Sequence, residues 1–409
     1  MKKVLVVAQF TQLPGEKGNN RSRFRYICEN LALDGHQVTQ VTSSFRDVDK
    51  KQRAWEIQEH TDLPYEVIIL NDPGYEKNIS FQRIKSQRTF AINLKNWLTK
   101  QEKFDLIYCS VPPHEAGLVA ANYAQKNKIP FIIDVQDLWP EAMKMAFNIP
   151  IISNIAFYPM KTLANKVYSM ADGIVACSQT YLDRAVSVSH KNPEKAKVFL
   201  GTDLSIVDKS SDVTTNIIEK NEGEKWITYT GSLSHSYDIG TLIEAIKNLH
   251  FLKGVRNTKL IIMGSGPLED KFKKHSEDAG INVEFTGWVS YNTMVNNLKN
   301  SDVLVNAIKS NAPQSITNKI SDYVSAGTPI INGSPNLEFK RMIEEKKIGF
   351  NYVSEDVKSM VEAINRVLSL TPFEKQEMKR NSRELAEEEF DRQNSYRKIN
   401  EIVNVLLYR

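Results

Sequence analysis

The chain has 409 residues, of which 41% are hydrophobic and 25% are charged, and its formal net charge is +4. This length accommodates two domains, and the composition is typical of globular proteins. The mild charge and the lack of zinc-finger, RNP or leucine-zipper patterns argue against nucleic acid as a partner. Its three cysteines lack CxxC spacing, and no run of about eighteen uncharged apolar residues occurs. We therefore expect a cytoplasmic protein without a transmembrane helix.

The first 200 residues alternate between predicted strands and helices. A continuous apolar run from Val4 to Gln9 predicts a strand that is buried on both faces, rather than a signal peptide. Further strands are predicted at 37–42, 66–70, 106–110, 131–135, 173–177 and 197–200. Helices are predicted at 21–34, 83–100, 117–126, 151–170 and 179–189. The alternation predicts a doubly wound parallel sheet over residues 1–200.

A second alternation begins after a polar segment. Residues 201–225 are charged and lack periodicity, so we predict a linker there. Strands are then predicted at 226–230, 259–263, 283–285, 303–307 and 329–332, and helices at 239–250, 268–275 and 291–299. These elements predict a second α/β domain over residues 226–388. The tail, 389–409, is predicted to form a helix that packs back on the first domain.

The segment 313–329 predicts a polar loop followed by one short helix. Gly327 suits the position just after the helix. Lys319 lies beside the helix N-terminus, where the backbone amides favour an anion such as phosphate. Asp322 follows Asn318 by four residues, so both share one helix face. The N-cap candidates are Ser315 and Thr317. From local pattern alone, an ordinary amphipathic helix remains an alternative, with core positions Ile316, Ile320, Tyr323 and Val324.

Four stretches occur in a fixed order along the chain. They are LALDGHQVTQVT at 31–42, GSGP at Gly264–Pro267, FTGWV at Phe285–Val289 and KISDYVSAGTPII after Asn318. Together they resemble motifs of the retaining glycosyltransferases of family 4. The resemblance covers nearly the whole chain and implies the GT-B fold, in which two Rossmann-like domains face each other across a cleft. It implies a nucleotide-sugar donor, most commonly a UDP-sugar, on the C-terminal domain and an acceptor on the N-terminal domain.

Two further stretches indicate which subset of the family the chain resembles. DLWPE at Asp137–Glu141 and SHSYDI at 234–239 are similar to a subset of the family that acts on bacterial capsule or O-antigen sugars. Membership of this subset implies an acceptor that is a saccharide or a saccharide linked to polyprenyl diphosphate.

The resemblance also implies the residues of the donor site. Two glutamates of the family motif correspond here to Gln314, which would face the sugar, and Asp322, which would accept hydrogen bonds from the ribose. The family's cationic pair, which neutralises the donor diphosphate, corresponds to Ser232 and Tyr237, neither of which is cationic. We hypothesise that Lys319 supplies the missing charge. The predicted donor-binding residues are Gly231, Ser232, Gly264, Ser265, Gly266, Pro267, Trp288, Ser315, Ile316, Asn318 and Asp322.

The first domain holds the predicted acceptor-side residues. His114 and Glu115 match a His–Glu pair that reaches the transferred sugar in the family, although a histidine in a surface loop is the alternative. Asp137 lies at another strand end, where it would contact the acceptor, act as a base, or cap the following turn. The predicted acceptor-binding residues are Gly15, Gly18, Asn19, Asn20 and Glu115. The predicted catalytic residues are His114, Asp137, Gln314 and Lys319.

Two surface features have alternative interpretations. Asp47-Val48-Asp49 resembles a metal-binding DxD motif, but basic neighbours favour a solvated loop, so we predict no metal and no cofactor. The predicted helix at 83–100 carries interleaved basic and apolar residues, and 151–157 is apolar. This pattern suits peripheral contact with the anionic inner face of the plasma membrane, or simply a solvated helix face above a core stripe.

The function implied by the resemblance is retaining transfer of a sugar from a nucleotide to an acceptor. The chemistry requires stabilisation of the leaving diphosphate, and no strong side-chain nucleophile is needed. Two alternatives remain open: a GT-B nucleotide-sugar 2-epimerase, and a partner subunit that kept the fold without activity. A dinucleotide-dependent dehydrogenase is disfavoured because GxGxxG is absent after the first strand.

Overall fold

The structure, a computed structural model, describes residues 1–16, 22–53, 63–146, 154–209, 218–252, 254–312 and 316–409. The chain forms two compact units, Met1–Val198 with Tyr396–Arg409, and Phe199–Ser395. Each unit contains a parallel sheet with helices in its connections, so the predicted α/β class with two parallel-sheet domains is confirmed.

The first unit is built on a seven-stranded parallel sheet. Its strands are β1 (Lys3–Val7), β2 (Gln37–Ser43), β5 (Glu66–Leu70), β6 (Leu106–Val111), β7 (Phe131–Val135), β8 (Gly173–Ala176) and β9 (Glu194–Lys197). A small antiparallel hairpin of β3 (Phe45–Arg46) and β4 (Lys51–Gln52) follows β2. The sheet order is β5-β2-β1-β6-β7-β8-β9. The central strands are almost wholly apolar, because helices cover both faces of such a sheet.

The helices of the first unit are mostly the connections between its parallel strands. They are α1 (Arg23–Leu33), α2 (Phe81–Leu98), α3 (His114–Asn127), α4 (Glu141–Ala146), α5 (Tyr158–Met170) and α6 (Gln179–Val186). Ser22 is the N-cap of α1, and its side chain accepts a hydrogen bond from the Arg25 backbone amide. The N-terminus of α1 follows the polar loop after β1, as the sequence predicts.

The second unit has a six-stranded parallel sheet in the order β12-β11-β10-β13-β14-β15. Its strands are β10 (Lys225–Thr230), β11 (Thr258–Met263), β12 (Val283–Gly287), β13 (Val303–Asn306), β14 (Ile330–Asn332) and β15 (Gly349–Asn351). Its helices are α7 (Leu204–Lys209), α8 (Ile239–Leu252), α9 (Glu269–Ala279), α10 (Tyr291–Asn300), α11 (Asn318–Ala326), α12 (Leu337–Glu345), α13 (Val357–Leu368), α14 (Pro372–Leu385) and α15 (Arg392–Ser395). A π-helical turn, Ala386–Phe390, follows α14.

The strand register of the second sheet places several loops at one edge. Strand β10 lies between β11 and β13, and Thr230 is aligned with Met263. Because all these strands are parallel, the loops that follow β10, β11, β12 and β13 lie at the same edge of the sheet. Ligands of doubly wound sheets bind at this carboxyl edge.

The segment predicted to be a linker lies in the second unit. Its described part contains α7, and Thr202 exchanges backbone hydrogen bonds of 2.8 and 2.9 Å with Phe390 and Arg392. These partners are distant in sequence, so local periodicity did not reveal them. In place of the strand predicted at 197–200, the structure has β9 at Glu194–Lys197. Strand β15 and helices α12 and α13 were not predicted.

The last helix, α16 (Arg397–Tyr408), belongs to the first unit. Its residues Ile399 and Val403 are buried in the same core as β1 and β6. The Tyr396 hydroxyl, just before α16, accepts a hydrogen bond of 3.2 Å from Arg23. Residues 389–395, which the sequence assigned to the same tail helix, lie in the second unit.

Candidate functional site

Glycines at the carboxyl ends of β10, β11 and β12 bring the backbones that follow these strands into close contact. Gly231 has a φ of 138° and Gly264 a φ of 134°. The Gly231 amide donates to Met263 O at 2.9 Å, and the Gly264 amide donates to Gly287 O at 2.8 Å. A Cβ placed at Gly264 would lie 2.0 Å from Gly231 O, so only glycine fits there.

The GSGP turn packs against the loop that follows β10. The Leu233 amide donates to Ser265 O at 3.0 Å. A Cβ at Gly266 would lie 2.4 Å from Leu233 O, so this position also requires glycine. The structure therefore brings together the five neighbouring predicted donor residues Gly231, Ser232, Gly264, Ser265 and Gly266 at the carboxyl edge of the second sheet.

Lys319 lies in the first turn of α11 and is 7% exposed. Its ammonium donates a hydrogen bond of 3.3 Å to the Tyr229 hydroxyl. It also lies 4.3 Å from the Tyr229 ring centroid and 4.1 Å from the Tyr237 ring centroid. Within the described ranges no carboxylate forms an ion pair with it. Burial lowers the pKa of Lys319 to about 7.

The ammonium of Lys319 lies directly beside the glycine loops. A Cβ placed at Gly231 would lie 3.0 Å from the Lys319 Nζ atom and 3.0 Å from the Tyr229 hydroxyl. The Tyr229 hydroxyl in turn donates to Ser232 O at 2.9 Å. Glycine at position 231 therefore allows the buried Lys319 ammonium to lie against the backbone of this loop.

Asp322 lies one turn further along α11 and is half-buried. Its Oδ1 accepts a hydrogen bond of 2.9 Å from the Tyr291 hydroxyl, which lies 2.6 Å from the Thr202 hydroxyl. Burial raises the pKa of Asp322 to about 6, although the Tyr291 bond and the Arg392 charge act in the opposite direction. Sequence reasoning missed Tyr291 and Thr202, because no local pattern links them to Asp322.

The remaining predicted donor residues have different surroundings. Ile316 is buried in the core, whereas Asn318 is exposed, and Trp288 is 78% exposed just after Gly287. Thr317 is the N-cap of α11, but its hydroxyl is buried without a hydrogen-bond partner among the described residues. Gly327 ends the helix with a φ of 75°, as predicted. Pro267 is in the turn after β11, and Gln314 and Ser315 lie outside the described residues.

His114 is the first residue of α3 and is only 1% exposed. Its Nε2 atom lies 3.2 Å from the Tyr168 hydroxyl. Burial, reinforced by the charge of Arg184, lowers the pKa of His114 to about 3, so the imidazole is neutral at pH 7. The alternative of an exposed loop histidine is therefore wrong. Burial also raises the pKa of its neighbour Glu115.

Asp137 forms three hydrogen bonds close to its own loop. Its carboxylate accepts from the Leu138 amide at 2.8 Å, the Trp139 indole at 2.9 Å and the Tyr181 hydroxyl at 3.2 Å. These bonds hold the carboxylate within the protein, and its roles toward an acceptor, as a base or as a cap stay predictions. Among the predicted acceptor-binding residues, Gly15 adopts a φ of 78° in a turn. Gly18, Asn19 and Asn20 lie outside the described residues.

The DxD-like segment is occupied by local contacts. Asp47 accepts from Lys50 and from the Tyr75 hydroxyl, and Asp49 pairs with Arg46 at 3.1 Å. Among the residues the structure describes, no group of three His, Cys, Asp or Glu side chains is arranged to hold a metal ion. The absence of a metal or cofactor requirement remains a prediction.

The surface proposed for membrane contact is partly described. On α2, Phe81 and Ile92 are 91% and 59% exposed, while Phe90, Leu94 and Leu98 face the core. Residues 151–153 of the apolar patch lie outside the described residues. In the described parts of the chain, no helix combines the length and hydropathy needed to span a bilayer.

Comparison with protein families gives one match for each half of the chain. A "Glycosyl transferase 4-like domain" matches residues 21–199, and "Glycosyl transferases group 1" matches residues 211–385. No curated protein sequence matches the chain.

Solved structures resemble the protein over nearly its full length. A sucrose-phosphate synthase from Thermosynechococcus elongatus has a TM-score of 0.71 at 16% identity, covering 99% of both chains. HepE from Anabaena, in complex with UDP, has a TM-score of 0.66 at 14% identity, covering 99% of this chain and 100% of its own. An α,α-trehalose 6-phosphate synthase from Burkholderia multivorans has a TM-score of 0.69 at 10% identity, covering 100% of this chain and 98% of its own.

These structural likenesses establish the fold, and the two family matches establish the class of enzyme. The motifs at 31–42, Gly264–Pro267 and Phe285–Val289 lie within the residues that the two families match. The protein is therefore a glycosyltransferase with the GT-B fold.

Proposed function

We propose that the protein transfers a sugar, with retention of configuration, from a nucleotide-sugar whose diphosphate binds beside Lys319. The observation that carries this proposal is a buried ammonium with no carboxylate partner among the described residues, next to side-chain-free backbone at Gly231. A cation in this setting favours an anion that arrives with the ligand. The N-terminus of α11, where the helix dipole is positive, favours the same charge.

The nucleotide is proposed to be UDP. Structures of HepE contain UDP, UDP with glucose, or UDP-glucose, and HepE shares the fold of this chain at 14% to 15% identity. Asp322 is proposed to accept hydrogen bonds from the ribose, and Trp288 to contact the base. Gln314 is proposed to face the sugar. The glycine loops allow the backbone to approach the phosphates closely.

Lys319 is proposed to replace the cations that are missing from the loop after β10. Ser232 and Tyr237 occupy the positions where the resembling family has Arg and Lys, and the Lys319 ammonium lies 4.1 Å from the Tyr237 ring. The charge would thus reach the same location from α11. Stabilising a leaving group with one such donor contributes about 3 to 4 kcal/mol to the transition state.

The binding experiment compares Lys319→Met with Lys274→Met, whose lysine is exposed on α9. We expect Lys319→Met to weaken UDP binding in calorimetry and to lower kcat about 100-fold or more. Lys274→Met should behave as wild type. Wild-type affinity and turnover in Lys319→Met would overturn the proposal.

The acceptor is proposed to be a saccharide, free or linked to polyprenyl diphosphate, in the synthesis of a capsule or O-antigen polysaccharide. The DLWPE and SHSYDI stretches support this assignment. His114, Glu115 and Asp137 are proposed to act on the acceptor side. Product formed from the donor alone would favour the epimerase alternative, and UDP-sugar binding without turnover on such acceptors would favour the inactive-subunit alternative.

Peripheral binding to an anionic membrane is proposed for α2. Exposed Phe81 and Ile92 accompany the basic residues of this helix, and anionic lipids attract such surfaces. Replacing Lys85 and Lys95 with Gln should reduce co-sedimentation with liposomes that contain phosphatidylserine. Unchanged co-sedimentation would argue against this contact.

A further inference from the structure

We propose that Tyr229 and Tyr237 are positioning residues that hold the Lys319 ammonium where it meets the donor diphosphate, in place of a carboxylate partner. This inference rests on the proposed donor site, and it assigns roles there to two residues that are not among the predicted donor-binding residues. Both side chains belong to the second unit, one from β10 and one from the loop that follows it.

The two rings form a corner around the ammonium. Their centroids are 5.9 Å apart and their planes are inclined by 65°. The Lys319 Nζ atom lies 4.3 Å from one centroid and 4.1 Å from the other, within the range of a cation–π contact. Tyr229 is fully buried and Lys319 nearly so, hence little water competes for the charge.

The Tyr229 hydroxyl fixes the position of the ammonium relative to the glycine loop. It accepts a hydrogen bond of 3.3 Å from Lys319 and donates one of 2.9 Å to Ser232 O. A lysine ammonium has three N–H donors, and only this one is engaged by a described side chain. The other two donors have no partner among the described side chains and are assigned to phosphate oxygens at position 231, where there is no side chain.

Aromatic neighbours leave the lysine charge available, which a carboxylate would not. An Asp or Glu at this distance would neutralise the ammonium, and a phosphate would have to displace it. A ring face attracts the cation through its quadrupole but carries no net charge. The surroundings of Lys319 therefore favour an incoming anion while holding the side chain in one place.

The first experiment compares Tyr237→Leu with Tyr237→Phe, using UDP as the calorimetric probe. Leucine removes the ring face and keeps an apolar side chain, whereas phenylalanine keeps the ring. We expect about tenfold weaker UDP binding for Tyr237→Leu and less than about twofold change for Tyr237→Phe. Equal affinities of the two variants would overturn the inference.

A second variant covers the possibility that Tyr237→Leu fails to fold. Tyr229→Phe keeps the ring but loses the hydroxyl that joins Lys319 to Ser232. We expect a severalfold rise in KM for the donor with thermal unfolding close to that of wild type. An unchanged KM in this folded variant would contradict the positioning role of the hydroxyl.

A separate measurement, the titration of Lys319 itself, requires no nucleotide. The reaction of Lys319 with acetic anhydride is followed by mass spectrometry as a function of pH. Loss of the Tyr237 ring should shift the titration of Lys319 to lower pH, because the ring stabilises the charged form, and Tyr237→Phe should not shift it. An unchanged or higher titration midpoint in Tyr237→Leu would overturn the inference. If the shift occurs but wild-type protein binds no UDP, the tyrosines position the ammonium as inferred and it is the proposed donor site that fails.

Discussion

Two buried cations, one in each unit, have opposite surroundings. In the first unit, Arg23 donates to both oxygens of Asp134 at 2.8 and 3.2 Å. In the second unit, Lys319 contacts two aromatic rings and one hydroxyl, with no described carboxylate at salt-bridge distance. Burial alone would lower the pKa of Arg23, but Asp134 and nearby tyrosines raise it above its usual value. Burial lowers the pKa of Lys319 to about 7, and no charge opposes it.

The comparison distinguishes a buried cation that is paired within the fold from one that has no carboxylate partner among the described residues. Asp134 also accepts from Tyr108 and Gln136, and Arg23 reaches Val198 O and the Tyr396 hydroxyl. The network therefore joins α1, the sheet and the start of the final helix. Lys319 contacts far fewer described groups, and its location beside Gly231 is consistent with the proposed binding of a phosphate.

The largest expected change in stability follows from the replacement of Arg23, the buried cation that is paired with Asp134. Arg23→Met leaves the fully buried Asp134 without its counterion, and we expect a loss of about 3 to 5 kcal/mol in the free energy of unfolding. Urea denaturation measures it. Arg25→Met is the matched control, since the described ion pair of Arg25 is a partly exposed i,i+4 pair with Glu29, and its loss should cost about 0.5 kcal/mol or less. Similar losses in the two variants would remove the distinction between the cations.

Replacement of Lys319 is expected to change the free energy of unfolding in the opposite direction, toward greater stability. Lys319→Met removes a buried charge without leaving a partner unpaired, so we expect a gain of about 1 to 4 kcal/mol in the unfolding free energy of the ligand-free protein. Because folding lowers the pKa of Lys319, the gain should be largest below pH 7 and should shrink as the pH rises from 7 toward the pKa of an exposed lysine. A destabilised variant across this pH range would contradict the account.

The smallest expected effect is the pH dependence of donor binding. Above pH 7 the free protein must protonate Lys319 to bind a diphosphate, so affinity for UDP-glucose should fall by about tenfold per pH unit. Calorimetric titrations from pH 7 to 9 measure the slope. Lys319→Met should bind more weakly at pH 7 and show no such slope, and an equal slope in both proteins would assign the dependence to another group.

Most of the fold was predictable because it depends on local apolar runs. The strands Glu66–Leu70 and Phe131–Val135 have the predicted bounds, and Gly327 ends α11 as predicted. Strand β15 was missed, since three residues, Gly349–Asn351, are too few to show a period. The described part of the predicted linker belongs to the second unit. Thr202 is held there by hydrogen bonds with Phe390 and Arg392, which are nearly two hundred residues away, so no local pattern could show them.

The candidate site was predictable only in part. The glycine turns and Lys319 stand in recognisable motifs, so the sequence pointed to them individually. The Tyr229 and Tyr237 contacts with Lys319, and the Tyr291 bond to Asp322, join residues that are about 30 to 90 positions apart. The hydrophobic periodicity of a local stretch carries no information on such distant pairs. They become visible only from the way β10, α10 and α11 pack together.

Proton uptake on donor binding tests the central claim most directly. UDP-glucose is titrated into the protein at pH 8 in buffers of different ionisation enthalpy, which gives the number of protons exchanged. If the diphosphate binds the Lys319 ammonium, wild-type protein should take up about one proton per UDP-glucose, because free Lys319 is mostly neutral at this pH. Lys319→Met should take up none. Binding without proton uptake in the wild type, or equal uptake in both proteins, would contradict the account.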